Sequence, residues 1–331
     1  MLFRFSLLAL LSLTLYGCSS VVTKDAEPTP PVAVPEQPAP VIVEKPLPPP
    51  PPPPRVAILL SSDIAAYRSV AEELLARLEG RAELYSLGGK PGNNKRITEA
   101  IRESGREQVV AIGMRAAVTA RALADRQVLF CQVFNYREHQ LIGPNSKGVS
   151  LLPDPGKSFA AWKALAPNLS DVGVVSGPGL EAMLARAAEA AIREGIRLHP
   201  VTAANDKEFQ YAYKQMAGEV QGYWLLPDNR VLSRRVLREV MNFSVRHDKQ
   251  VLVFSDELLG LGGLLSATSD PRDIAGRVLD RLAQAAHKET IPGADVVPLD
   301  EVTVTINAVM ARRMNLRIPE QYGVYAGEPA N

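Results

Sequence analysis

Cysteine is nearly absent from this chain. Its 331 residues hold two, Cys18 and Cys131, which rules out a disulfide framework and a zinc site built on cysteine sulfurs. Histidine is scarce as well: His139, His199, His247 and His287 are widely spaced, and none stands in a metal-ligand pattern. Neither metal nor cofactor is expected. An excess of one charge is missing, since 37 Lys and Arg face 36 Asp and Glu for a net charge of +1. That removes the electrostatic case for nucleic acid or for an anionic membrane surface. No Gly-x-Ser-x-Gly elbow, no Cys–His arrangement and no His-Glu-x-x-His occurs. The glycine-rich stretch Gly88–Lys95 lacks the Gly-Lys-Ser/Thr ending of a phosphate cradle and reads as a loop. An enzyme is not expected.

What is present starts with an export address. Arg4 precedes an apolar run, Leu7–Leu15, that stops at Tyr16-Gly17-Cys18, the layout of a secretory signal over residues 1–17. The run falls far short of the ~20 apolar residues of a membrane-spanning helix. Leu15-Tyr16-Gly17-Cys18 resembles the lipobox of bacterial lipoproteins, which implies acylation of Cys18 and membrane attachment through that lipid only. By the same resemblance, Ser19 rather than Asp after the Cys implies the outer membrane of a Gram-negative envelope, facing the periplasm. With Cys18 acylated, Cys131 has no partner, and its apolar setting, Val128–Val133, reads as core.

Residues 18–54 form the acylated start and a proline-rich linker. Fourteen of the 27 prolines fall between positions 28 and 54, ending in an unbroken run, Pro48–Pro54. Such a stretch adopts extended polyproline II, so residues 19–54 at ~3.1 Å each reach on the order of 100 Å. It reads as a spacer, with a ligand for aromatic grooves as the alternative.

From Arg55 the chain alternates short apolar runs with amphipathic helices. Strands are expected at 56–60, 109–112, 128–133, 172–175, 198–202, 223–226 and 251–254. Helices are expected from Ser62 or Asp63 as cap, from Arg115, from Asp154-Pro155, and over 180–194, 206–217 and 231–247. This βαβα rhythm with apolar strands predicts an α/β fold of two similar lobes, each a parallel sheet covered by helices on both faces. Ligands in such sheets bind at the carboxyl ends of the strands. Trp162 and Trp224 lie within apolar patterns and are assigned to the core.

Several motifs then stand in a recognisable order: Gly148-Val149-Ser150-Leu151, Leu165-Ala166-Pro167-Asn168, Pro227-Asp228-Asn229, Val253-Phe254-Ser255-Asp256, Gly262–Ser266 and Ile306-Asn307. Over roughly residues 55–319 the chain resembles a family of bacterial ABC-transporter substrate-binding proteins. That family includes tryptophan- and tyrosine-binding lipoproteins and has the type I periplasmic-binding-protein fold. The resemblance implies crossovers near Gly148, Gly260 and Pro292. The first lobe is then 55–147 plus about 261–291, the second 148–260 plus about 292–319, and 320–331 is a tail. It also implies a non-enzymatic solute-binding protein that closes on a small organic ligand, such as an amino acid, for uptake with an ABC permease or for sensing. The alternative is an envelope interaction module of the same fold that regulates a cell-wall enzyme or receptor.

Candidate ligand contacts follow from strand ends. Ser61 and Ser62 can hold a carboxylate or cap a helix; Arg115 can pair with a carboxylate or face solvent; Asn135 and Tyr136 follow the third strand, where Tyr136 can stack on a ligand. In the second lobe Ser176 and Gly177 form an anion cradle, Asp228 and Asn229 suit a ligand amine, and Ser255 and Asp256 are weaker versions of the same. Relatives that bind aromatic amino acids usually have Asp-Pro where this chain has Asn135-Tyr136-Arg137. Their Asn-Pro turn is replaced here by Ser176-Gly177-Pro178-Gly179.

Overall fold

Five apolar residues in a row leave a strand no solvent face, and Val56–Leu60 (β1) is buried at every position. Its side chains obey the two-residue period of a strand. Val56, Ile58 and Leu60 enter one core, while Ala57 and Leu59 enter the core on the opposite face. The computed structural model describes residues 55–89 and 91–327, which lie in one compact unit. The expected signal peptide, Cys18 and the proline tether lie outside the described residues.

After β1 come α1 (Ala65–Leu78), β2 (Ala82–Ser86), α2 (Asn94–Glu103), β3 (Gln108–Ile112), α3 (Met114–Ala120), β4 (Gln127–Cys131) and β5 (Ser146–Pro153). The rhythm then repeats as α4 (Pro155–Leu165), β6 (Asp171–Ser176), α5 (Glu181–Arg193), β7 (Arg197–Thr202) and α6 (Asp206–Gln215). It continues through β8 (Gly222–Trp224), α7 (Arg234–Arg246), β9 (Gln250–Val253) and β10 (Leu265–Thr268). Finally α8 (Pro271–Ala285), β11 (Val296–Leu299), β12 (Thr303–Asn307), α9 (Ala308–Arg313) and β13 (Gly323–Tyr325) complete the described chain.

The strands form two sheets. The first has the order β11-β5-β4-β3-β1-β2 and is parallel throughout. The second runs β13-β12-β10-β9-β8-β6-β7, parallel except that β12 pairs antiparallel with β10. Each sheet has a core on both faces. In the first lobe α1 and α8 supply Leu74 and Val278 to one, and α2 and α3 supply Ile101 and Ala117 to the other. In the second lobe α4 and α5 supply Trp162 and Leu184, and α6 and α7 supply Tyr213 and Val240. Both tryptophans are buried, as expected, and so is Cys131.

The crossings between lobes lie one strand later than expected. β5 spans Gly148 and belongs to the first sheet, β10 to the second, and β11 to the first again. The first lobe is therefore built from β1 to β5, α8 and β11, and the chain crosses near residues 154, 270 and 301. Gly148 is not a chain break but a packing requirement: a Cβ there would stand 2.2 Å from the Phe130 ring of β4. A second correction concerns α1. Ile64 occupies its cap position without a side-chain bond, because Asp63 instead accepts the Ser86 hydroxyl at 3.1 Å. By contrast α4 starts as its Asp-Pro pair predicts, with Asp154 accepting the Lys157 N–H at 2.9 Å. The glycine stretch turns at Gly88 and Gly89, and α2 then starts at Asn94.

Candidate functional site

The strand ends do not all meet. Ser61 is buried, and its hydroxyl accepts the Ala116 N–H at 2.9 Å, so it ties β1 to the start of α3. Ser62 is half-buried, and Arg115 reaches Asn94 of α2 at 3.4 Å within its own lobe. Ser255 begins a short 3-10 turn, and Asp256 accepts the Ser266 hydroxyl of β10. Ser176 is buried and donates to the Gly177 carbonyl at 3.2 Å.

Asn135, Gly177, Asp228 and Asn229 do come together, across the two lobes. Asn135 Nδ2 donates to Asp228 Oδ1 at 3.0 Å and lies 3.5 Å from Asn229 Oδ1. Asp228 is 1% exposed and is clasped by Arg230, two residues on: Nε meets Oδ1 and Nη2 meets Oδ2, both at 2.7 Å. Gly177 N–H adds a bond to Oδ2 at 2.8 Å. The approach is so close that a Cβ on Gly177 would stand 2.9 Å from both Arg230 Nη2 and Asp228 Oδ2. Burial pushes the Asp228 carboxyl upward, but the Arg230, Gly177 and Asn135 donors outweigh it and hold the group below the ordinary carboxylate range. Arg230 then reaches back over the gap, donating through Nη1 to Glu138 of the first lobe at 2.7 Å and to the Pro178 carbonyl at 2.9 Å.

Beside this latch lies a cleft of about 1320 Å3 walled by both lobes. The first lobe contributes Phe134, Asn135, Tyr136, Glu138 and the strands β5 and β11; the second contributes one side of α5 together with Arg230 and Val231. Its floor is apolar, since Phe134, Leu152, Leu180 and Met183 all pack against the second-lobe core. Tyr136 sits 5.7 Å from Phe130, with the Arg137 guanidinium 5.7 Å from its ring centre. Of the eleven residues singled out from the sequence, Asn135 and Tyr136 line the cleft. Asp228 and Gly177 stand behind Arg230. Asn135 is 4% exposed, and its Oδ1 has no hydrogen-bond partner in the protein.

Sequence reasoning missed Arg230, Glu138 and Met183. The signal for Arg230 was its spacing of two from Asp228 in a Pro-Asp-Asn-Arg turn, a distance over which a guanidinium can fold back onto a carboxylate.

A chain so built can hold a small molecule between two lobes, and among the described residues no cluster of His, Cys, Asp or Glu suits a metal ion. The family model for ABC transporter substrate binding protein matches residues 137–329. Among solved structures, an ABC domain in complex with L-Trp from Streptococcus pneumoniae is similar, with a TM-score of 0.59 at 17% identity, covering 83% of this chain and all of that one. A ligand-free, open substrate binding protein with adhesive properties from Clostridium difficile gives 0.61 at 14% identity, covering 82% and 99%. A conserved domain protein from Vibrio cholerae gives 0.56 at 20% identity, covering 81% and 96%. None of the curated proteins compared with the chain matches it. These likenesses establish the type I periplasmic-binding-protein fold. With the family match running over more than half of its length, the chain belongs to the non-enzymatic ABC transporter substrate binding protein family.

Proposed function

We propose that this protein captures a small organic solute in the cleft beside the Asn135–Asp228–Arg230–Glu138 latch, and that its lobes close on that solute. The observation that carries the reading is Asn135, a buried amide on the cleft wall whose Oδ1 lacks a partner. An unsatisfied buried acceptor costs about 1–3 kcal/mol, which a ligand donor recovers. Closure is then a population shift driven by contacts that exist only when both lobes touch the ligand. The volume of about 1320 Å3 exceeds the roughly 300–1,000 Å3 of a pocket for a drug-sized ligand, so it leaves room for such closure. The L-Trp complex of the pneumococcal relative supports an amino acid or related metabolite as the ligand. Membership of the family supports uptake through an ABC permease, with sensing as the other use of the same capture.

The lipobox-like Leu15–Cys18 and the proline tract support a protein anchored by lipid to the outer membrane and held at a distance from it. One observation favours the second reading, an envelope interaction module: Asp228, at the position that suits a ligand amine, is fully satisfied by the protein's own Arg230.

A thermal-shift and calorimetric screen over amino acids and other small metabolites tests the reading. The expected result is a saturable hit. No hit, with no small molecule retained in native mass spectrometry, overturns it in favour of the second.

A further inference from the structure

The cleft carries more information about its ligand than its size. A carboxylate at a strand end facing a cleft is the natural partner of a ligand amine, yet Asp228 has no capacity left. Its two oxygens already accept from Asn135 Nδ2, Gly177 N–H, Arg230 Nε and Nη2, and at 3.3 Å the Arg230 backbone N–H. The other acids along the cleft do not replace it. Asp154 and Glu181 already accept backbone N–H bonds from Lys157 and Gly179, and Glu189 is exposed on α5.

The positive side is less committed. Arg230 lines the cleft, and only one of its partners is easily exchanged. Glu138 is 49% exposed, sits on a first-lobe loop, and among the described residues makes its one ion pair with Arg230. Arg137, Arg186 and Arg193 also line the cleft, and none has a carboxylate within salt-bridge distance among the described residues. Among the described residues a ligand anion meets three exposed guanidinium groups without ion pairs, whereas of the cleft's carboxylates only the exposed Glu189 accepts no hydrogen bond.

We infer that the cleft selects its ligand by a carboxylate, which takes the place of the Glu138 carboxylate on Arg230, and does not select an amine. The ligand class is a carboxylic acid with an apolar body, lying against Phe134, Leu180 and Met183, and with a hydroxyl or N–H donor for Asn135 Oδ1. Arg230 thereby acts as the specificity-determining residue, and Glu138 as the internal acid that the ligand displaces. This rests on the cleft being the solute site. The ligand carboxylate takes over the single Nη1 bond now given to Glu138, a charge-assisted hydrogen bond, while Asp228 keeps the Nε and Nη2 edge of the guanidinium.

Three matched probes test it by calorimetry on the full chain: phenylalanine, 3-phenyllactate, in which a hydroxyl replaces the amine, and phenethylamine, which lacks the carboxylate. The same comparison is made with leucine, 2-hydroxyisocaproate and isoamylamine. The expected result is that each hydroxy acid binds within about tenfold of its amino acid, while the amine is at least about tenfold weaker, the loss expected for one charged hydrogen bond. Glu138→Gln, a change at an exposed loop position, is expected to tighten hydroxy-acid binding several-fold by removing the competing acid. Arg230→Gln is expected to weaken it by about tenfold or more. An amine that binds as tightly as its acid, or a Glu138→Gln variant that binds more weakly, overturns carboxylate selection and leaves solute capture standing. Silence from all six compounds removes the inference, and solute capture falls with it only if the wider metabolite screen is also silent.

Discussion

Replacing Arg230 by alanine tests the latch most severely. The change strips Asp228, 1% exposed, of its bidentate partner and leaves it the Gly177 N–H, the Asn135 amide and the long backbone N–H bond of residue 230. Removing one member of a buried pair costs about 3–5 kcal/mol because the other charge stays behind uncompensated. Protonation sets a ceiling on that cost. Neutralising a carboxyl of ordinary pKa near 3.9 at pH 7 takes about three pKa units at 1.36 kcal/mol each, or roughly 4 kcal/mol. The expected destabilisation at pH 7 is therefore about 3–4 kcal/mol, on the order of 10 °C in Tm. The sign of the pH effect follows from the native carboxyl, which the latch holds below its ordinary range. Its stabilisation is present above the unfolded pKa near 3.9 and is lost as pH falls through the native value. In the variant the stranded, buried carboxyl takes up its proton above the ordinary pKa of about 3.9. The difference between wild type and Arg230→Ala should therefore already be smaller at pH 5 than at pH 7, and the wild-type contribution itself fades only below about pH 3.9. Urea unfolding at pH 7 and pH 5 measures both effects. A loss below about 1 kcal/mol at pH 7, or a loss that does not change with pH, refutes the latch. The double variant Asp228→Asn with Arg230→Ala should regain at least half of the loss, since it removes the stranded charge.

Other expectations concern the frame that holds the cleft. Gly148→Ala drives a Cβ to 2.2 Å from the Phe130 ring and should cost about 1–3 kcal/mol in thermal unfolding, with part regained when Phe130→Leu is added. Trp162→Phe removes the indole bond to Gln250 Oε1 at 2.7 Å and should lose about 1–3 kcal/mol in urea melts. Cys131 is fully buried, and burial pushes its thiol up to about 12, so thiolate is scarce. Peptide mapping after alkylation at pH 8 should find Cys131 unlabelled in the native protein and labelled at the rate of unfolding; fast native labelling contradicts the packing.

The frame was legible where burial is two-sided. Runs such as Val56–Leu60, buried on both faces, announce themselves, and Asp154-Pro155 fixes a helix start by its own chemistry. β2 escaped notice because it lies at a sheet edge, where Ala82–Ser86 is half exposed and has no continuous apolar run. β5 was hidden because Gly148 reads as punctuation, although the ring of Phe130 is what requires the missing side chain. The site was legible only in part. Asp228 and Asn135 could be placed at strand ends, but nothing in their order tells that a guanidinium two residues away folds back onto the acid. Nor does the sequence reveal that Met183 of α5 lines the same cleft as Phe134 of a first-lobe loop.

The most direct measurement of the central claim is native mass spectrometry of the full chain titrated with the best compound of the screen, for wild type and for Met183→Trp, which fills the cleft floor. The account predicts one ligand per wild-type chain and loss of that adduct in the folded variant. An adduct that persists unchanged in Met183→Trp places the ligand elsewhere and contradicts the account.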